Sequence, residues 1–482
     1  MRYPNPRERG SRSIFLRPAL LILCLLFAPL AVAQEDAGVA QEDAGEAFGE
    51  SVDVYVVNLD IRVTDRKGRP VSGLTAAELT LKEDGKKTEI AHFVEIPARS
   101  EGRTQAVKES LATALPSELL ETPRTLVFLI DDTTVQRQHR AAALQQLRDL
   151  LNQDLLAETS TALAVYDGEL RVVQQPTIDR DRLLAAIDAL GSGDARGVAR
   201  RQGRDGVFRN VVSRVGEIRN DVRARVMEVE EAVRGLNALL KDVQGEADRR
   251  RIENRRSFGA MGALIDGLGT LPGRKALVLV SEGLAMRPGQ AQIDLIHDAL
   301  TEVTTGPGGG VSGASIDSRS AQLGALTDQG TRPTNRRRKK SEPPNELFAV
   351  AALAANARVS FYPWKGHGNV GVVGADVGGE AGLGTSPGVR ASREDSLVET
   401  LGVLADETGG QLAVGSGLGP LVEKALDDFG GYYSLGFSPK HGGDDQLHRL
   451  KLKVRGKGLR VWYPKSYVAR PYGPPVEPPA QE

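Results

Sequence analysis

The chain has 482 residues, enough for two or three domains and a substantial core. Its 62 Lys+Arg nearly balance 63 Asp+Glu, so no global field would draw it onto nucleic acid or an acidic membrane. Any partner must be recognised through local patches.

The first residues read as an export signal. Arg7, Arg9, Arg12 and Arg17 precede the apolar run LLILCLLFAPLAV, and Ala31-Val32-Ala33 has the small-x-small form that a signal peptidase reads. About fifteen apolar residues is short for a membrane-spanning helix. Residues 1–33 are therefore expected to be removed, leaving no membrane span and a destination in the periplasm, cell envelope or extracellular space. The sole cysteine, Cys24, leaves with them. It excludes a disulfide, a thiolate nucleophile and a cysteine metal ligand from the mature chain. Residues 34–50 repeat AQEDAG and bury little, as expected of a flexible acidic leader.

From 51 to 98 the pattern alternates, VDVYVVNLDIRVTD and then ELTLKEDGKKTEIAHFVEI, with Asp84-Gly85 as a hairpin turn. Short strands at this spacing predict a small β-sandwich-like domain. A linker at 99–122 leads to a domain at 123–430. Strand 124–130, helix 136–156, strands 161–166 and 170–173, and helix 180–190 predict crossover units in a doubly wound, mostly parallel α/β sheet.

Residues 206–256 carry an apolar stripe from Val211 through Val243 at steps of three and four. One continuous rod would reach roughly 75 Å. It must project as a coiled-coil arm, for dimerisation or a partner, or fold back near Gly235 or Gly245 onto its own domain. The buried strand Ala276–Val280 resumes the sheet. A loop at 304–344, rich in Gly, Ser and Arg, reads as disordered. Helix 345–356, strand 358–362, a Gly-rich loop at 365–390, and helices 394–408 and 418–428 follow. The C-terminal β-strands span 431–470, and 471–482 is a flexible tail.

The catalytic motifs fail on spacing. Histidines 92, 139, 297, 367, 441 and 448 form no i, i+4 pair of the zinc-protease kind. Gly415-Ser416-Gly417 lacks the glycine two before the serine that a nucleophile elbow needs. Gly269–Lys275 is too short for a phosphate loop, and Ala276 stands where Ser or Thr would hold magnesium. The run Arg336–Lys340 reads as a solvated loop and not as a nucleic-acid patch. One constellation remains. LVFLIDDTTV at 126–135 delivers Asp131-x-Thr133 at the carboxyl end of a strand, where parallel sheets bind ligands and where hard cations find oxygen. The competing role for these side chains is to cap helix 136–156.

LVFLIDDTTV, YDGELRVVQQPTIDRDRLLAAI and LPGRKALVLVSEG resemble successive strands of a von Willebrand factor type A domain. Together with VNLDIRVTDRKGRPVSGLTAAELTLKEDGKKTEI, ADETGGQLAVGSGL, YYSLGFSP and LHRLKLKVRGKGLRV, they resemble exported bacterial proteins of the von Willebrand factor A-related kind found in Acidobacteria, over most of 52–468. The resemblance implies a Rossmann-like fold and a metal-dependent adhesion site. Carried over, Asp131 takes the first aspartate's position, Thr133 the first serine's, and Ser281-Glu282-Gly283 the distal Ser-Asp-Gly. Val135 occupies the second serine's position and cannot ligate. The middle threonine has no counterpart, with Ser257 only nearby, and Asp132 is an additional oxygen source. The site is thus a degenerate one for Mg2+ or Mn2+, through Asp131, Thr133 and Glu282, with Asp132 and Ser281 in reserve. The expected function is an exported, non-catalytic protein-binding or adhesion module with an unidentified protein partner. The alternatives are an oligomeric envelope scaffold built through 206–256, and a metal-dependent hydrolase using Asp131, Asp132 and Glu282.

Overall fold

The computed structural model describes residues 56–96, 124–192, 206–305, 345–366, 387–439, 441 and 443–470. The expected signal, leader, linker and tail, and nearly all of the 304–344 loop, lie outside the described residues.

Strand β1 (Val57–Thr64) opens the described chain, followed by β2 (Leu79–Glu83), β3 (Lys86–Thr88) and β4 (His92–Ile96). Asp84 and Gly85 both have positive φ, as the two-residue hairpin turn between β2 and β3 requires. Next come β5 (Thr125–Asp131), helix α1 (Arg137–Asn152), β6 (Ser160–Tyr166), β7 (Leu170–Thr177) and α2 (Arg180–Ser192). Two helices follow, α3 (Gly206–Arg223) and α4 (Val229–Gly269), and then β8 (Lys275–Val280) and α5 (Gln290–Thr305). The second half holds α6 (Asn345–Asn356), β9 (Val359–Lys365), α7 (Pro387–Thr408), β10 (Ala413–Val414) and α8 (Leu418–Asp428). Strands β11 (Tyr432–Phe437), β12 (Leu447–Val454), β13 (Arg460–Trp462) and β14 (Ser466–Val468) close it.

The fold is α/β. Its central sheet runs β10-β9-β8-β5-β6-β7, parallel throughout except for the antiparallel edge strand β7. Every residue of β5 is buried. Leu126, Phe128 and Ile130 face one core with α1, α2 and α8, while Val127 and Leu129 face another with α4, α6 and α7. Alternation along one strand thus feeds two helical layers, and each such side chain contributes roughly 1.5–3 kcal/mol by leaving water.

The strands at 51–98 and 431–470, far apart in sequence, pair with each other. β1 lies between β11 and β13, and β2 between β12 and β3. The resulting four-stranded sheets β13-β1-β11-β4 and β14-β12-β2-β3 share one core, including Leu59, Ile61, Leu81, Tyr433, Phe437, Leu452 and Tyr467. The first and last described strands therefore build a single β unit. It meets the central sheet at the amino ends of β8 and β9 through buried charge. Arg358 grips Asp60 with two hydrogen bonds, Nε to Oδ2 at 2.9 Å and a second amine to Oδ1 at 2.8 Å, and Arg274 lies 3.5 Å from Asp60. Arg62 pairs with Asp428, which also accepts from Tyr362 at 2.9 Å and from Lys424 at 2.6 Å. Burial lowers the Arg62 pKa to about 10.

The stretch 206–256 folds back, but at neither expected glycine. The chain reverses at 224–228, where Arg225 takes φ 57°, and α4 then continues unbroken past both Gly235 and Gly245. Gly235 serves close packing instead: a Cβ there would lie 3.3 Å from Ile218 Cδ1 across the hairpin. Val211, Val215, Ile218, Leu236 and Val243 bury against Ile296, Leu300 and Val303 of α5, and Arg219 reaches Glu302 at 3.1 Å. Among the described residues, no helix is long and apolar enough to cross a membrane.

Replacing Asp428 with Ala leaves Arg62 buried without its counter-charge and Tyr362 without its acceptor. Chemical denaturation is expected to show a loss of about 3–5 kcal/mol.

Candidate functional site

Because β5 and β8 are parallel neighbours in the register Ile130 to Val280, the residues that follow them, Asp131 and Ser281, emerge side by side at the carboxyl edge of the sheet. The turn after β5 is tight, with the amides of Thr134 and Val135 both donating to the Asp131 carbonyl. This folds two hydroxyls back onto the Asp131 side chain. Its Oδ1 accepts from the Thr133 amide at 3.1 Å and the Thr133 hydroxyl at 2.6 Å. Its Oδ2 lies 2.8 Å from Thr134 Oγ1 and 3.1 Å from Ser281 Oγ, themselves 2.8 Å apart. The Gly283 amide donates to Ser281 Oγ at 3.0 Å, and the Glu282 amide to Thr134 Oγ1 at 3.3 Å. Asp131 is fully buried. Loss of water pushes its carboxyl pKa up, and the hydroxyl and amide donors oppose that rise.

The expected residues thus meet, but their carboxylates are engaged elsewhere. Glu282 turns away from Asp131 to His139 on α1, with Nδ1 2.5 Å from Oε1, and to the buried Lys365 at the end of β9, 3.9 Å from Oε2. Asp132 does not reinforce Asp131. It takes a hydrogen bond from Arg140 Nε at 2.7 Å, and the same guanidinium donates to the Leu190 carbonyl at 3.0 Å. Burial raises the Asp132 pKa, and Arg140 pulls it back. Val135 packs in the core under α1, and Ser257 donates to the Glu253 carbonyl of its own helix. The capping role fails as well: α1 starts after Gln136, with no side-chain cap bond.

Two glycines let the walls close. A Cβ at Gly366 would fall 2.4 Å from the His139 ring, so a side chain there would displace the histidine. Gly283 has φ 92°, and a Cβ on it would meet the Leu397 carbonyl at 2.3 Å.

A resident magnesium or manganese ion needs up to six oxygen donors with lone pairs to spare. Here the Asp131 oxygens are saturated by four donors, and Glu282 and Asp132 already hold internal cations. The residues present do not fit such an ion without breaking both ion pairs and introducing a dication beside Lys365.

His139, Arg140, Thr134 and Lys365 were not singled out from the sequence. The first two had a readable signal. The apolar stripe Ala143, Leu144, Leu147, Leu150 and Leu151 of α1, carried back one turn, lands on His139 and Arg140, and a charged pair there requires acidic partners. Lys365 had none, because its neighbour Glu282 lies in the loop after another strand, β8.

No protein-family model matches the chain, and no curated protein matches it. Among solved structures, it is similar to the human COPII-coat protein Sec24c, with TM-score 0.27 and 8% identity, covering 73% of this chain and 44% of that one. It is also similar to a mutant of the PilB minor pilin from Streptococcus sanguinis, with TM-score 0.25 and 10% identity, covering 64% and 60% respectively. The chain spans less than two thirds of either structure, and likenesses at these scores carry no functional argument.

Calorimetric titration of the chain with Mg2+ or Mn2+ is expected to give no saturable heat at this site; stoichiometric binding abolished by Asp131→Ala would contradict the assignment. The raised Asp131 pKa also has a definite sign. Its stabilising contribution is complete below the ordinary carboxylate value of 3.8 and is lost as pH rises through the higher folded value. Asp131→Asn removes that titration, so the stability difference between wild type and variant should shift in the variant's favour as pH rises from about 4. Denaturant midpoints across pH measure it.

Proposed function

We propose that the protein is a non-catalytic, protein-binding module of von Willebrand factor A type, acting outside the cytoplasm. Counted within the central sheet, the strand order β7-β6-β5-β8-β9-β10 is 3-2-1-4-5-6, with the third strand antiparallel. In sheets of this order ligands bind at the crevice where the winding reverses, between β5 and β8. The Asp131-x-Thr133 turn and Ser281-Glu282 stand at that crevice.

The observation that carries the non-catalytic reading is the engagement of three carboxylates there by internal partners: Asp131 by hydroxyls and an amide, Asp132 by Arg140, Glu282 by His139 and Lys365. A general base or a metal-bound water needs an acceptor with a free lone pair facing substrate. What faces solvent instead is the loop rising into α1, with half-buried Thr133, Thr134 and Gln136 and exposed Arg137 and Gln138. Polar, uncharged groups beside the exposed Arg137 guanidinium suit a protein surface better than a reacting small molecule. Against the hydrolase alternative stands the engagement of Asp131, Asp132 and Glu282, the carboxylates it would use, with donors of the chain itself. Against the scaffold alternative stands the burial of the helical stripe within the chain's own hairpin. Among the described residues its exposed large apolar side chains are Val226 and Ile252, too few for a coiled-coil seam.

Affinity capture from cell-envelope extract with the full chain as bait tests the reading. Wild type should enrich a partner that the double variant Gln136→Arg, Arg137→Glu does not, with recovery unchanged by a metal chelator. Equal recovery by both baits would remove this rim as the binding surface.

A further inference from the structure

A separate polar cluster lies in the β unit and takes no part in the proposed rim. The β2–β3 hairpin supplies Glu83 and Asp84, the segment between β11 and β12 supplies His441 and Asp444, and β12 supplies His448. One ligand atom from each of Glu83, His441 and His448 lies within 4.8 Å of the other two. His441 Nε2 is 3.1 Å from Glu83 Oε1, and His448 Nδ1 is 2.7 Å from Asp84 Oδ2. The remaining nitrogens turn to one carboxylate, His448 Nε2 at 3.0 Å from Asp444 Oδ1 and His441 Nδ1 at 3.8 Å from Asp444 Oδ2. The two rings stack, with centroids 3.8 Å apart and planes 9° from parallel. Tyr467 donates to Glu83 Oε1 from β14.

We propose that Glu83, His441 and His448 bind one divalent transition-metal ion of the zinc type, with Asp84 as the fourth ligand, through oxygen, and Asp444 as the group that sets the imidazole tautomers. Imidazole nitrogen with carboxylate oxygen is a donor set for zinc and its neighbours and not for magnesium or calcium. A ligating histidine ordinarily donates its second ring N–H to a carboxylate, which directs the other lone pair at the metal. Asp444 does this for His448 at 3.0 Å, and a tilt of the His441 ring that shortens the present 3.8 Å would let it do so for His441. That leaves His441 Nε2 and His448 Nδ1 on the side of Glu83 and Asp84, whose two negative charges balance a dication.

Binding requires one movement, and it releases to solvent the proton that His448 Nδ1 shares with Asp84 Oδ2 at 2.7 Å. Zinc bonds to nitrogen at about 2.0–2.1 Å and close to the ring plane. An ion between parallel rings 3.8 Å apart would lie out of both planes, so the stack must open. His448 is buried in a strand, whereas His441 sits on an exposed segment and can tilt. The ion would then clip residue 83 to residue 441, 358 positions along the chain, in a protein whose single cysteine allows no disulfide. Closing so long a loop restricts the unfolded chain far more than a local contact does.

The test uses the full chain purified without a histidine tag and stripped with chelator, titrated near neutral pH by calorimetry with Zn2+, Mg2+ and Ca2+ in separate arms, and melted with and without Zn2+. One Zn2+ per chain should bind and raise the melting temperature, with no saturable Mg2+ or Ca2+ binding. His441→Ala, on the exposed segment, should abolish Zn2+ binding while leaving the metal-free melting temperature near wild type. Asp444→Asn should weaken Zn2+ roughly 10- to 100-fold, and His297→Ala on α5 should bind as wild type does. Absence of saturable Zn2+ binding, or equal affinity in wild type and His441→Ala, overturns the proposal and leaves the cluster as a hydrogen-bonded clasp between imidazoles and carboxylates.

Discussion

The parallel pairing of β5 with both β6 and β8 is the constraint on which the rest of the structure depends. Running in register from Thr125 to Asp131 on one side and from Thr125 to Ile130 on the other, it makes β5 the centre of the sheet and the point where the winding reverses. A slip of one residue would exchange the Leu126, Phe128 and Ile130 face with the Val127 and Leu129 face, moving large side chains between two differently shaped cores. The same register decides that Asp131 and Ser281 meet. Their approach is a consequence of sheet pairing and needs no ion to draw them together.

Buried charge marks both ends of this sheet, and each end solves it with internal partners. At the amino edge, Asp60 and Asp428 collect Arg358, Arg274, Arg62, Lys424 and the Tyr362 hydroxyl, joining the β unit to the sheet. At the carboxyl edge, Glu282 and Asp132 hold His139, Lys365 and Arg140. Removing one member of such a set leaves a charge in a low-dielectric surrounding, which is costlier than the pair is stabilising. That asymmetry favours keeping every member of each set in place.

The β unit shows how far the chain reaches to complete its folding units. β1 and β2 have no partners among their own neighbours sufficient for a core; β11, β12 and β13 arrive after more than three hundred residues and supply them. Between those two visits the chain writes the whole α/β layer and the α3–α4 hairpin, each with its own apolar cluster. The histidines follow the same logic. His441 and His448 have no i, i+4 helical spacing, yet a strand and a preceding loop bring their rings into contact.

Much of the architecture was legible in the residues themselves. Alternation and three-four periodicity are local properties of the chain, so the α/β class, the hairpin at Asp84-Gly85, the position of β5 and the helical nature of 206–256 followed from the amino acids alone. So did the placing of Asp131 and Ser281 at strand ends. Tertiary structure decided what local pattern cannot carry. It chose the turn at 224–228 over Gly235 and Gly245, since the reversal answers to packing on α5. It joined β1 to β11, and it turned Glu282 to His139 and Lys365 and Asp132 to Arg140. Those outcomes depend on which groups lose water together, and that is settled only when segments hundreds of residues apart are brought within a few ångströms.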